Sequence, residues 1–233
     1  MVVENMNQKY RHEYKYIISD TDAVILKERL KKLMTLDTHT GGKESYNIRS
    51  LYYDNYIDGC YYDNENGNDP KEKFRIRIYN GKTSRISLEC KRKERGKTNK
   101  EACLISEEQC KFLMGESKQY TISELPTLAR KLALLKSQQL MKPVVIVEYD
   151  RIPFVYATGN VRVTIDQSLR TSSDVAKFLT GGYSKRPIIQ SGFSILEVKW
   201  DELIPDWLFQ VCQLDSLVHT ACSKYYYCRQ YHM

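Results

Sequence analysis

Short runs in which apolar and polar residues alternate dominate the chain, the two-residue period of half-buried strands. They cover Arg11 to Ile18, Ser45 to Asp54, Lys73 to Tyr79, Arg85 to Lys93, Lys100 to Ile105, Val144 to Phe154, Val161 to Asp166 and Ser194 to Trp200. Asn80-Gly81 falls between two of them and predicts a tight hairpin. Elsewhere a helical spacing takes over. Thr21 to Met34 places Val24, Leu26, Leu30, Leu33 and Met34 near one face. Ser106-Glu107-Glu108-Gln109 reads as a capping box opening a helix that carries Cys110, Leu113 and Met114. Ser123 to Leu140 predicts a longer helix with Pro126 in its first turn. Asp206 to Leu217 and His219 to Tyr231 predict two more, Asn64 to Glu72 reads as a loop, and Gly181-Gly182 as a turn. The pattern predicts an α+β fold on an antiparallel sheet, in one domain over residues 1–233.

Because side chains alternate between the faces of a strand, each run separates its charges from its apolar residues. Lys73, Arg75 and Arg77 oppose Phe74, Ile76 and Ile78. Ser87, Glu89, Lys91 and Lys93 oppose Ile86, Leu88 and Cys90. Arg162, Thr164 and Asp166 oppose Val161, Val163 and Ile165, and Glu197 and Lys199 oppose Leu196, Val198 and Trp200. Arg11, Glu13 and Lys15 share a face. An ordinary amphipathic sheet would present such a face to water. Stacked cations argue otherwise: neighbours such as Arg75 and Arg77, roughly 7 Å apart, repel by about 2 kcal/mol at an effective dielectric near 20. A sheet curled around an anion offsets that repulsion. The pattern therefore predicts a barrel or deep groove with a basic lining, a few carboxylates, and helices over an apolar exterior.

Composition narrows the anion. The 233 residues carry a formal net charge of +7, a property that bears on partners. A basic lining with a few acids suits polyphosphate with a divalent metal. Nucleic-acid binding calls for exposed stacking aromatics or a basic helix, and the 18 tyrosines fall in clusters better suited to packing. No Walker-type phosphate loop, GxGxxG, GxSxG elbow or HExxH pair is present. No apolar run is long enough to span a membrane, and the start is polar, without a signal-peptide core. Seven cysteines, an odd number without CxxC or zinc spacing, predict reduced thiols in the cytoplasm.

The ordered set RHEYKY, SLYYD, KFRIRIY, SLECKRK, VEYDRIPF, VRVTID, ILEVKWDELIPDWL and CSKYYYCR resembles the VTC domain, the polyphosphate polymerase domain of the triphosphate tunnel metalloenzyme superfamily. The resemblance spans nearly the whole chain. It implies an antiparallel β-barrel tunnel with helices packed outside, and transfer of the ATP γ-phosphate to a growing polyphosphate chain, assisted by Mn²⁺ or Mg²⁺. It implies Arg75, Arg77, Arg151, Arg162 and Lys91 as catalytic cations. Lys15, Lys100, Ser223 and Lys224 become phosphate contacts, and Glu197 the metal-binding glutamate. Arg49, just before SLYYD, is a further candidate. Strand parity independently selects Lys15, Arg75, Arg77, Lys91, Arg162 and Glu197, whereas Ser223 and Lys224 rest on resemblance alone. The hydrolase and cyclase branches carry ExExK on the first strand. Here Arg11 stands in the first acidic place, which disfavours a two-metal hydrolase. The inositol-phosphate-sensing domain and membrane segment of eukaryotic members are not in this sequence, so a stand-alone version is expected, with any membrane partner encoded elsewhere. Triphosphate hydrolysis and non-catalytic polyanion binding are the alternatives to polymerisation.

Overall fold

The computed structural model describes residues 11–117, 120–190, 192–212, 217–218 and 222–233. In chain order the elements are β1 (His12–Ser19), α1 (Asp20–Lys31), β2 (Thr35–Leu36), β3 (Tyr46–Asp54), α2 (Gly59–Glu65), β4 (Lys71–Tyr79), β5 (Lys82–Glu94), β6 (Lys97–Ile105), α3 (Glu107–Met114), α4 (Thr127–Gln139), β7 (Lys142–Tyr156), β8 (Val161–Ser172), β9 (Arg186–Pro187), β10 (Phe193–Trp200), α5 (Asp206–Cys212) and α6 (Lys224–Gln230). The strands form one sheet in the order β1-β10-β8-β7-β3-β4-β5-β6, with β2 added to β7 and β9 to β8. Every described ladder is antiparallel. The ends of this path meet where Arg11 and Thr98 exchange backbone hydrogen bonds of 3.1 and 3.3 Å, so the sheet curls into a barrel.

The alternation sets which face points inward. On β4, Phe74, Ile76 and Ile78 are almost wholly buried on the outer face, under Leu113 of α3 and Leu128 and Leu132 of α4. A second outer cluster joins Val163, Ile165, Leu196 and Val198 to Leu26 and Leu30 of α1 and Leu208 of α5. Each such side chain stabilises the fold by about 2 kcal/mol on leaving water. These helices cover the outside of the barrel as the sequence predicts. α6 lies elsewhere: its Tyr225 joins Tyr52, Val147, Tyr149 and Ile195 in a third cluster, on the concave face.

Local signals mostly act as read. Asn80 and Gly81 both take positive φ, 52° and 66°, as a tight primed turn requires. Ser106 Oγ accepts from the Gln109 N–H at 3.1 Å and Gln109 Oε1 accepts from the Ser106 N–H at 2.9 Å, completing the capping box of α3. The long helix expected over Ser123 to Leu140 is divided. A short 3₁₀ turn, Ile122–Glu124, is followed by extended Leu125, and α4 starts after Pro126. The proline ring disfavours the helical region for the residue before it, so Leu125 is extended, and Pro126 caps the helix instead of sitting in its first turn. Helix α2 occupies a stretch with no clear helical period, its first amides held by Asp54. The predicted helix from Asp206 is seen to Cys212, and residues 213–216 and 219–221 lie outside the described residues.

Candidate active site

The inward-facing charges line a cavity of about 450 Å³. Its lining includes ten Lys and Arg side chains against three Glu, so the space is strongly electropositive. Lys15 and Glu13 come from β1, Lys73, Arg75 and Arg77 from β4, Lys91 from β5, Arg151 from β7, and Glu197 and Lys199 from β10. Ser223 and Lys224 enter from the start of α6, where Ser223 Oγ also caps the helix by accepting from the Tyr226 N–H at 3.3 Å.

Arginines are gripped from within the wall. Glu89, register-opposite Arg75, accepts from its Nε at 2.8 Å and lies 2.7 Å from its Nη2. Arg75 Nη1 donates to the Tyr52 hydroxyl at 2.9 Å. Arg77 donates from Nε to Ser50 Oγ at 3.1 Å and from Nη2 to the Tyr149 hydroxyl at 3.3 Å. Arg151 donates to both oxygens of register-opposite Asp166, at 2.6 and 2.7 Å, and to Glu197 at 3.1 Å. Lys224 Nζ lies 2.7 Å from Asp166 Oδ2. Burial works against charge on Arg75, but Tyr52 and Glu89 outweigh it. Burial likewise works to neutralise Glu89, and Arg77, Arg75 and Lys100 hold it far below the usual carboxylate range.

Lysines are held differently. Both oxygens of Glu13 accept from Lys91 Nζ, at 2.9 and 2.7 Å, and Glu13 also bonds Lys15. Burial would raise the Glu13 carboxyl, but the surrounding lysines, Lys91 foremost, hold it at about 2. Burial pulls Lys91 down to about 7 despite Glu13. Lys73 falls to about 7 from the same cause, with its ammonium 4.9 Å from the Tyr225 ring centroid.

Lys15, Arg75, Arg77, Lys91, Arg151, Glu197, Ser223 and Lys224 are thus gathered at one cavity. Three other candidates are not in its lining. Arg162 shares the inward parity but is taken up by Asp37, from the turn after β2. Lys100, register-opposite Lys91, reaches Glu89 at 3.3 Å and remains half exposed. Arg49 has the opposite parity from Ser50 and Tyr52 and is buried against Glu148 at 3.2 Å and the Phe178 carbonyl at 2.9 Å. Conversely, Glu13, Lys73, Lys199 and Tyr149 line the cavity without having been singled out as site residues. Each stands two positions from a chosen residue, so parity alone could have found them. Arg11, in the first acidic place of the ExExK pattern, pairs with Asp201 at 3.0 Å.

For a divalent metal, the donor set is sparse. Among the described residues no three His, Cys, Asp or Glu side chains group as a metal cage. Glu197 faces the cavity with Lys199 at 2.8 Å and Arg151 at 3.1 Å. Glu197, with Glu13 on the other side of Lys15, fits a metal that arrives with phosphate oxygens as its remaining ligands, the usual manner of Mg²⁺.

Comparison with known proteins agrees with this arrangement. The family model of the VTC domain matches residues 10–232. A candidate adenylyl cyclase from Hippeastrum, described as having a dominant triphosphatase activity, has a similar structure: 12% identity, 95% of each chain covered, TM-score 0.54. A candidate adenylate cyclase from Bacillus halodurans is similar at 13% identity over 91% of this chain and 95% of that one, TM-score 0.50. At these identities the likeness is one of fold alone. No curated protein matches in sequence. With a family match over almost its entire length, the chain belongs to the VTC domain family.

Proposed function

We propose that this protein is a polyphosphate polymerase that moves the γ-phosphate of ATP onto a growing inorganic polyphosphate chain. The observation that carries the reading is the cavity in which Arg75, Arg77, Arg151, Lys15, Lys91 and Lys224 converge around Glu197. In phosphoryl transfer a protein chiefly positions groups and stabilises charge. Arg75, Arg77 and Arg151 hold the oxygens of the transferring group. Lys15, Lys91, Lys224 and the Ser223 hydroxyl hold the neighbouring phosphates. An end oxygen of the polyphosphate attacks the γ-phosphorus, the bond from that phosphorus to the β–γ bridging oxygen breaks, and ADP leaves with that electron pair. The attacking oxygen is already anionic, so no general base is required. Glu197 would hold Mn²⁺ or Mg²⁺, which when bound neutralises phosphate charge. Arg162 and Lys100 contribute from outside the cavity lining, Lys100 through Glu89. The free thiols, most of them buried, suit a reducing cytoplasm, and no helix among the described residues is long and apolar enough to cross a membrane.

Triphosphate hydrolysis is the second reading, and the Arg11–Asp201 pair in place of a first-strand carboxylate disfavours it. The ratio of products separates the two. Incubated with ATP and Mn²⁺, a polymerase forms ADP with little orthophosphate. Equal amounts of ADP and orthophosphate would identify a hydrolase, and unchanged ATP a polyanion-binding module.

A further inference from the structure

Two carboxylates, Glu89 and Asp166, stand behind the arginines of the cavity and are not in its lining. Glu89 and Asp166 sit register-opposite the arginines they hold, on the adjacent strand. They grip the Nε side of each guanidinium and so aim it. Glu13 is different. It stands on β1, which pairs with β10, while Lys91 stands on β5, which pairs with β4 and β6. Its carboxylate therefore reaches between strands that share no ladder, and puts both oxygens on the Lys91 ammonium while also bonding Lys15. The side chain is only 7% exposed. An ammonium is a compact charge without the directional fork of a guanidinium, so this contact aims nothing. It fills, with two anionic oxygens, the space between two lysines where phosphate oxygens would bind.

We propose that Glu13 is a resident counter-anion that occupies a phosphate position in the empty cavity and is displaced from Lys91 and Lys15 when polyphosphate enters. It makes the lysine side of the cavity selective for ligands with enough charge to exchange for a buried carboxylate. The inference rests on the polyphosphate reading of the cavity.

The test is calorimetric titration of tripolyphosphate into the full chain with EDTA present, so that no metal-ligand role of Glu13 enters. Glu13→Gln is expected to bind about tenfold tighter than wild type. Glu13→Asp, which keeps the charge but shortens the reach to Lys91, gives a second readout if the glutamine variant does not fold, and is also expected to bind tighter. Competition is separated from a general change of potential by repeating Glu13→Gln in a Lys91→Met background, where the gain is expected to fall below about threefold. Should wild type bind and the Glu13 variants bind no tighter, or should the gain be the same in both backgrounds, the inference is overturned while the polyphosphate reading stands. Wild type that binds no tripolyphosphate overturns that reading and the inference with it.

Discussion

The arginine side and the lysine side of the cavity solve one electrostatic problem in two ways. On β4 and β7, guanidinium groups are tied to carboxylates one strand away and to tyrosine hydroxyls, so charge and direction are both fixed before a ligand arrives. On β1 and β5, ammonium groups share a carboxylate that crosses between unpaired strands, and burial pulls Lys91 down to about 7. A guanidinium stays protonated at any working pH, whereas Lys91, lowered by burial, titrates near neutrality while Lys15, despite burial, is held charged by Glu13 and Glu197. On the proposed polymerase reading, the arginines would give rigid charge stabilisation and the lysines an adjustable hold on the chain.

Removing an arginine should therefore do the most damage. Arg75→Ala is expected to lower turnover about a thousandfold, while thermal melting stays cooperative because Glu89 keeps Arg77 and Lys100 as partners. Wild-type turnover would break the assignment of the arginine side. Next in size is the support behind it: Glu89→Gln is expected to cost about a hundredfold in kcat through misplaced guanidinium groups. That loss is opposite in sign to the gain in ligand affinity expected at Glu13, and equal responses at the two glutamates would erase the distinction drawn here. Glu197→Gln should abolish the dependence of turnover on Mn²⁺ concentration, read from a metal titration of the variant, and an unchanged metal profile would remove it as a ligand.

The lysine side predicts a pH effect of moderate size. Lys73 and Lys91 are both lowered to about 7 by burial in the empty cavity, and a bound polyphosphate raises them. Below about 7 both are protonated with or without ligand, and affinity is greatest. As pH rises above that value, binding must recruit protons, and affinity falls by up to about tenfold per pH unit for each group. Calorimetry of tripolyphosphate between mildly acidic and alkaline pH checks this. A flat profile would show that the lysines stay charged like the arginines. Smallest of all should be Arg162→Ala, within about fivefold of wild-type turnover, since its half-buried guanidinium is engaged by Asp37 away from the cavity lining.

Strand parity made much of this site readable, because a barrel turns a two-residue period into an inside and an outside. The alternation alone puts Arg75 and Arg77 on the face opposite Ile76 and Ile78, and the structure places both arginines at the cavity. Parity does not say how far along a strand the cavity extends. Arg162 has the inward parity yet lies where Asp37 intercepts it, and Asp37 arrives from a turn with no periodic signal. Nor does parity reach α6. Ser223 and Lys224 sit at a helix start, and their place opposite Asp166 depends on tertiary packing of Tyr225 against Tyr52 and Asp54. Resemblance, not pattern, was the only route to them. Helix α2 leaves no periodic trace in the sequence because it is short and is anchored from outside by Asp54, which accepts from the Cys60 and Tyr61 amides at 2.8 and 3.1 Å.

The central claim is that this cavity builds polyphosphate. Phosphorus NMR of wild type and Arg75→Ala, each incubated with ATP and Mn²⁺, tests it most directly. The account predicts internal-chain phosphate signals with ADP from wild type, and none from the variant. Internal-chain signals of equal strength from both, or orthophosphate alone from wild type, would contradict it.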